Sequence, residues 1–231
     1  MEDKIINDAI EFAKVNKKEL LQKIFSIDIK SEERPVSVFM AGGPGAGKTE
    51  FSKNLFENKS KDFLRIDPDE YRKLFAEYRG DNSHLFQGAT SLLASKAQDL
   101  ALKKGYSYIF DSTFSQSEEV CFDNIERSIN KLGRTTQIIY IFQKPEIAWE
   151  FTKAREKVEG RKIKKEDFIS CFLSAKNNVN EVKEKFGKKV TVDIVKKNIG
   201  ENKFEYFDNI DKIDNYIKFD FTKEKLSDIL K

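Results

Sequence analysis

Histidine is close to absent: His84 stands alone among 231 residues. No multi-histidine metal site can be built from it, and histidine acid–base chemistry is all but excluded. Cysteine is scarce as well. Cys121 and Cys171 have no metal-ligand spacing and read as buried or incidental thiols in a reducing compartment. No uninterrupted apolar stretch approaches the ~20 residues that a membrane span needs. The opening "MEDKIINDAIEF" has acids where a signal peptide is basic, so the expected location is cytoplasmic. An excess of one charge is missing too. The 42 basic and 39 acidic residues leave a net +3, no polyelectrolyte footprint, which argues against a general nucleic-acid-binding role.

What is present is a soluble, globular composition, 39% hydrophobic and 35% charged, long enough for one sizeable α/β domain. Apolar residues recur at helical spacing over 2–25, which predicts one or two helices before the core begins. Beyond the polar joint "SEERP", apolar strands are expected at 36–41, 62–66, 106–111, 135–142 and 189–197. Helices are expected at 48–58, 68–78, 83–104, 117–132, 145–157, 166–186 and 222–231. Strands that alternate with helices imply a mainly parallel sheet covered on both faces. The expected division is a helical segment over 1–33, a main domain over 34–197, and an extension over 198–231 packed on that domain.

The most informative stretch is "SVFMAGGPGAGKTEFSKNLF", residues 37–56. Gly42, Gly43, Pro44, Gly45, Ala46, Gly47, Lys48 and Thr49 complete G-x-x-x-x-G-K-[ST] between a strand and a helix. Glycines let the backbone curl so that successive N–H groups point at phosphate oxygens, and the helix start adds its free donors. Lys48 is placed for the β and γ phosphates, and Thr49 for Mg²⁺ through its hydroxyl. A turn that binds nothing is the bland alternative, and eight matched positions in context weigh against it. The turn therefore holds a nucleoside triphosphate, with ATP and Mg²⁺ the expected cofactors. The GTPase motif N-K-x-D has only a near match, "NKKE" at 16–19, on the wrong side of the turn. No "LSGGQ" occurs. A small-molecule or polynucleotide kinase remains.

A kinase also needs a group to orient and deprotonate the attacking hydroxyl, and a carboxylate suffices. "FLRIDPDEYRK" (63–73) delivers acids to the same sheet edge as the phosphate turn. Asp67, then Pro68, then Glu70 reads as N-cap, N1 proline and N3 acid, which leaves Asp69 free to face the cleft. Asp69 is the favoured base and Asp67 the alternative, with Asp67 also a candidate for substrate binding. The third strand ends "IFDSTFSQ". Asp111 is a candidate for Mg²⁺ through a water, and both Asp111 and Thr113 for substrate. A helix-entry turn explains the same residues equally well.

"FTKAREKVEGRKIKKEDF" (151–168) is strongly basic. Most such charges are simply solvated, yet a segment between two helices, broken by Gly160, is where a P-loop kinase carries its lid. Arg155 and Arg161 are the candidates to stabilise charge on the transferred phosphoryl group. Taken together, "AGGPGAGKT", "RIDPDEYR", "SHLFQGATSLLASKAQDLALKKGYSYIFDST" and "AREKVEGRKIKKEDF" resemble the zeta-toxin family of P-loop kinases over residues 34–197. That resemblance implies a three-layer P-loop kinase fold with a helical lid, Lys48 and Thr49 on ATP·Mg²⁺, Asp69 as base, and Arg155 and Arg161 as lid arginines. It further implies a nucleotide-containing acceptor, UDP-N-acetylglucosamine first and NAD next, and an antitoxin as a possible partner. At the turn after the third strand, family members carry an acid-Gly-Thr-Gly-Arg-like run, and this chain has "DSTFSQ". A polynucleotide kinase and a non-enzymatic ATP-gated interaction protein are the rival readings.

Overall fold

The computed structural model describes residues 2–25, 29–58, 63–160, 163–198 and 203–231. Two helices, α1 (Glu2–Val15) and α2 (Lys17–Ile24), lead into β1 (Val36–Ala41) and α3 (Lys48–Asn58). Then come β2 (Phe63–Ile66), the single-turn α4 (Pro68–Tyr71), α5 (Gln87–Lys104), β3 (Ser107–Phe110) and α6 (Glu118–Ile129). The chain continues through β4 (Thr135–Phe142), α7 (Pro145–Glu159), α8 (Lys165–Phe186), β5 (Thr191–Asn198), β6 (Lys203–Phe207) and α9 (Lys223–Ile229).

The strands form one sheet in the order β2-β3-β1-β4-β5-β6. The first five are parallel, and β6 alone runs antiparallel, against β5. β1 shows why two layers of helix are needed. Its buried side chains alternate between faces: Val38 and Met40 enter the smaller core with Phe51 and Leu55 of α3, while Phe39 and Ala41 enter the larger one with α1, α5, α6 and α8. The result is the three-layer, mainly parallel fold that the alternating pattern implies. Among the described residues, no helix is long and apolar enough to cross a membrane.

Two expectations need correction. The helix expected over 68–78 stops at Tyr71 and tightens into a 3₁₀ turn over Arg72–Leu74, after which Phe75 is extended. The extended turn seats Phe75 against Phe86 and Phe12, with ring centroids 5.4 and 5.8 Å apart, so packing overrides local helix preference. The second is β6, which was not foreseen at all. Buried Asp193 on β5 ties it down, accepting from Tyr206 Oη at 2.5 Å and from the Asn209 N–H at 2.8 Å.

The carboxyl-terminal segment buttresses the helices that flank the basic loop. Leu226 and Leu230 are buried, and Phe219 and Phe221 pack on Phe172 of α8 at 5.4 and 5.7 Å. Trp149 of α7 donates from Nε1 to the Lys231 carbonyl at 2.8 Å. α7 is therefore tied to this segment through Trp149 and Lys153, and Arg155 follows on the same helix.

Candidate active site

All five parallel strands point their carboxyl ends at one edge, and the loops after β1, β2 and β4 meet there. They enclose a cavity of about 870 Å³. Gly45, Ala46, Gly47, Lys48 and Thr49 form one wall, Asp67, Asp69 and Arg72 another, and Arg155 stands on α7 across the opening. The β1–α3 turn follows from its glycines. Gly45 has φ +70°, and a Cβ there would lie 2.0 Å from the Ala148 carbonyl oxygen. No larger residue fits between this turn and α7.

Lys48 is buried, and its Nζ donates to the carbonyls of Gly42 at 2.9 Å and Gly43 at 2.7 Å. Burial pulls its pKa down to about 8, against the attraction of Asp111 and Asp69, which pulls it up. A buried ammonium beside a cradle of N–H groups is a site that an anion completes.

The second wall is built as the capping pattern predicts. Asp67 Oδ1 accepts from the backbone N–H groups of Asp69 at 2.9 Å and Glu70 at 3.3 Å, with Pro68 at the first helical position. Its other oxygen meets Arg65 Nη2 at 2.6 Å. Burial nonetheless raises the Asp67 carboxyl to about 6, because desolvation outweighs Arg65 and the two N–H donors, and Asp111 and Asp69 add repulsion. Asp69 is left partly exposed on the cavity, held by an ion pair to Arg72 Nη1. Arg72 is itself buried and donates from Nη2 to Gln87 Oε1 at 2.7 Å.

Asp111 and Thr113 lie behind this wall and do not line the cavity. Asp111 Oδ2 accepts from Ser52 Oγ at 2.7 Å and Arg65 Nη2 at 2.5 Å. The Thr113 hydroxyl pairs with Ser115 Oγ at 2.6 Å, and its carbonyl accepts from the Gly42 N–H at 3.1 Å. Arg161 lies outside the described residues. Of the two thiols, Cys121 is buried and Cys171 half-buried.

Four residues at this edge escape a reading of the sequence. Arg65 bridges Asp67 and Asp111, and its i, i+2 spacing from Asp67 on a strand was the one available signal. Arg72 orients Asp69. Lys197, at the end of β5, reaches Gly47 and Glu50. Gln143 follows β4, and its Oε1 accepts from the Lys144 N–H at 2.9 Å. That bond fixes the amide orientation, so the buried Nε2, without a partner among the described residues, is a spare donor at the cavity.

A phosphate cradle at a parallel sheet's carboxyl edge, an acid after β2 and an arginine on the helix after β4 define a P-loop protein of the kinase type. The zeta-toxin family model matches residues 20–209, and the chain belongs to that family. No curated protein matches it. Among solved structures it is similar to one from the PezAT chromosomal toxin–antitoxin system of Streptococcus pneumoniae. The identity is 17%, covering 93% of this chain and 86% of that one, with a TM-score of 0.63. It is also similar to the AvrRxo1-ORF1:AvrRxo1-ORF2 complex with sulphate ions, at 13% identity over 99% and 80% of the two chains, TM-score 0.61. The AvrRxo1-ORF1:-ORF2 complex with ATP matches at 14% identity over 90% and 64%, TM-score 0.57.

Proposed function

We propose that this chain is an ATP-dependent kinase that transfers the γ-phosphoryl group to a hydroxyl of a nucleotide-containing metabolite. The observation that carries the reading is the shared cavity: Lys48 and Thr49, Asp69, and Arg155 line one space of about 870 Å³. The family assignment and the fold shared with an ATP complex support it.

In this reading the N–H groups of the cradle and the start of α3 bind the polyphosphate, and Lys48 leaves the Gly42 and Gly43 carbonyls for its β and γ oxygens. Asp69 accepts the hydroxyl proton of the acceptor, and its ion pair with Arg72 holds the carboxylate in place. Arg155 meets the charge that builds on the transferred phosphoryl group. Asp67 is a cap whose position under the base sets where Asp69 stands. No cluster of three or more His, Cys, Asp or Glu side chains that could hold a metal occurs among the described residues. The donors present fit Mg²⁺, which is commonly held by one or two protein oxygens and the substrate phosphates. Thr49 would supply its hydroxyl and Asp111 would act through a water, and the ion would shield phosphate charge.

A protein that covers the cavity mouth would silence such an enzyme, and an antitoxin is the proposed partner. The test is incubation with γ-labelled ATP and a metabolite extract, followed by mass identification of the labelled product, with UDP-N-acetylglucosamine and NAD assayed first. A labelled, alcohol-phosphorylated metabolite whose formation Lys48→Ala abolishes is the expected result. Bound ATP with no transfer to any pool would leave a nucleotide-gated interaction protein instead.

A further inference from the structure

Lys197 lies at the carboxyl end of β5, and its chain is packed away from water, with only 7% of the residue exposed. It crosses to the phosphate turn and stands against Gly47. A Cβ on Gly47 would lie 2.2 Å from Lys197 Nζ. The partners of this ammonium are weak. The Gly47 carbonyl accepts at 3.4 Å, and Glu50 Oε2 lies at 3.2 Å on a side chain that is 73% exposed. The face of the Phe204 ring, 5.8 Å away, completes its surroundings. The lysine has given up its hydration, and its counter-ion has not. A buried ammonium held by a long bond and a solvated carboxylate is an unfinished interaction.

We propose that Lys197 is a second phosphate-binding cation of the nucleotide site, serving the α/β end of the polyphosphate, and that Glu50 is the anion the nucleotide displaces from it. The proposal rests on the ATP reading above. In a cradle of this kind the backbone takes the α and β phosphates and the motif lysine reaches β and γ. Lys48 therefore occupies the γ side. Lys197 approaches from β5, two strands from β1, at Gly47, where the cradle passes into α3, and lines the same cavity. Glu50 sits in the first turn of α3, where an acid favours the helix but disfavours a neighbouring phosphate. A nucleotide therefore exchanges one anion for another at Lys197, and the displaced Glu50 carboxylate, already largely exposed, stays in water.

A purely structural clasp makes different predictions from a ligand cation, and Glu50 separates them. If the Lys197–Glu50 pair only pins the turn, Lys197→Met and Glu50→Gln both weaken ATP binding. If Lys197 binds phosphate, the two changes act in opposite directions. The experiment is calorimetric affinity for ATP and ADP with wild type, Lys197→Met, Glu50→Gln and the double variant, alongside melting temperatures. Lys197→Met is expected to weaken ATP and ADP alike by about 10- to 100-fold, the range for a lost charge-assisted bond. Glu50→Gln is expected to tighten both, and that gain is expected to vanish in the double variant. Simple relief of repulsion between Glu50 and phosphate would persist in the Lys197→Met background, so its persistence would overturn the exchange. Wild-type affinity in Lys197→Met, or weakening in Glu50→Gln, would overturn the proposal while leaving the ATP reading intact. Wild type that binds no ATP would overturn both. Should Lys197→Met melt early, Lys197→Gln replaces it in the single and double variants, because the loss of the Glu50→Gln gain, and not its sign alone, identifies the exchange.

Discussion

Nucleotide affinity should depend on pH through Lys48, with a direction the structure sets. Burial lowers this ammonium from its ordinary 10.5 to about 8. At about 1.36 kcal/mol per unit, the charged form is disfavoured in the fold by on the order of 3 kcal/mol. ATP supplies the compensating charge, so binding requires the protonated lysine. With a pKa of about 8, roughly nine tenths of the protein carries that proton at pH 7, and about one part in 30 at pH 9.5. Affinity scales with the competent fraction, so the Kd for ATP should rise about 30-fold between pH 7 and 9.5. Stability should move the other way. The unfolded lysine keeps its proton up to about 10.5 and the folded one only to about 8. The unfolded state therefore binds more protons in that window, and unfolding free energy rises with pH across it by up to about 3 kcal/mol from this group.

The assay is ATP affinity by calorimetry, and urea unfolding, from pH 7 to 9.5 on wild type and Lys48→Ala. The variant should be weaker at every pH and free of both trends. A flat wild-type affinity up to pH 9.5 would refute the reasoning, and so would the same bend in Lys48→Ala. Either result would mean that the buried ammonium is not the group that meets phosphate.

Asp69→Asn should melt as the wild type does and bind ATP normally, while transfer falls by about 10²- to 10⁴-fold, the range for a lost general base. Asp67→Asn retains a good cap and should keep much of its activity. It should also lose a pH trend: the wild-type carboxyl, raised from 3.8 to about 6, contributes stability below about pH 4 that is lost as pH rises to about 6. A dead Asp67→Asn beside an active Asp69→Asn would reverse the two roles. Arg72→Lys keeps the charge but cannot hold Asp69 and Gln87 at once, so turnover should drop about tenfold with ATP affinity unchanged, measured as kcat against Kd. Gln143→Leu removes a buried donor that lacks a partner among the described residues. It also removes the acceptor of the Lys144 N–H, so the net change in urea melts should stay within about 1 kcal/mol while ATP turnover falls; unchanged turnover would make that amide a bystander.

The parts of the site visible in the sequence are those whose cause is local. The phosphate turn is eight consecutive residues, and the Asp67 cap is read from the spacing of Asp67, Pro68 and Glu70. The alternation of strands and helices sufficed for the parallel sheet. The parts that were hidden depend on contacts between distant residues. Arg65 and Asp111 are 46 positions apart, and Lys197 and Glu50 are 147 apart. No spacing rule links such pairs before the strand order is known. β6 was hidden for a related reason. Its Phe204 and Tyr206 are exposed and alternate with charged residues, so an edge strand held by Asp193 from its neighbour reads as polar chain. The early end of α4 at Tyr71 depends on where Phe75 must pack, and Phe12 and Phe86 decide that from other helices.

Four departures from good local design meet at one sheet edge. A lysine is buried against backbone carbonyls, a carboxyl is held well above its usual pKa, an amide donor is buried without a partner among the described residues, and Gly45 is left-handed where a side chain would strike α7. Three of these, the lysine, the amide and the glycine turn, are answered by the same class of ligand. A polyphosphate supplies charge to Lys48, acceptor oxygens to an amide donor, and atoms to fill the space that the glycines keep open. Elsewhere, two buried polar groups of the core are completed by the fold itself. Gln98, Tyr108 and Ser128 form a closed hydrogen-bonded set in the core beneath α5 and α6, and Asp193 is satisfied by three donors between β4 and β6. Polar groups that the fold completes by itself act as structure; those it leaves incomplete around the 870 Å³ cavity mark where binding energy enters. The stability that ATP adds should therefore shrink when these defects are repaired one at a time, most of all at Lys48, whose charge is the most costly of them to bury.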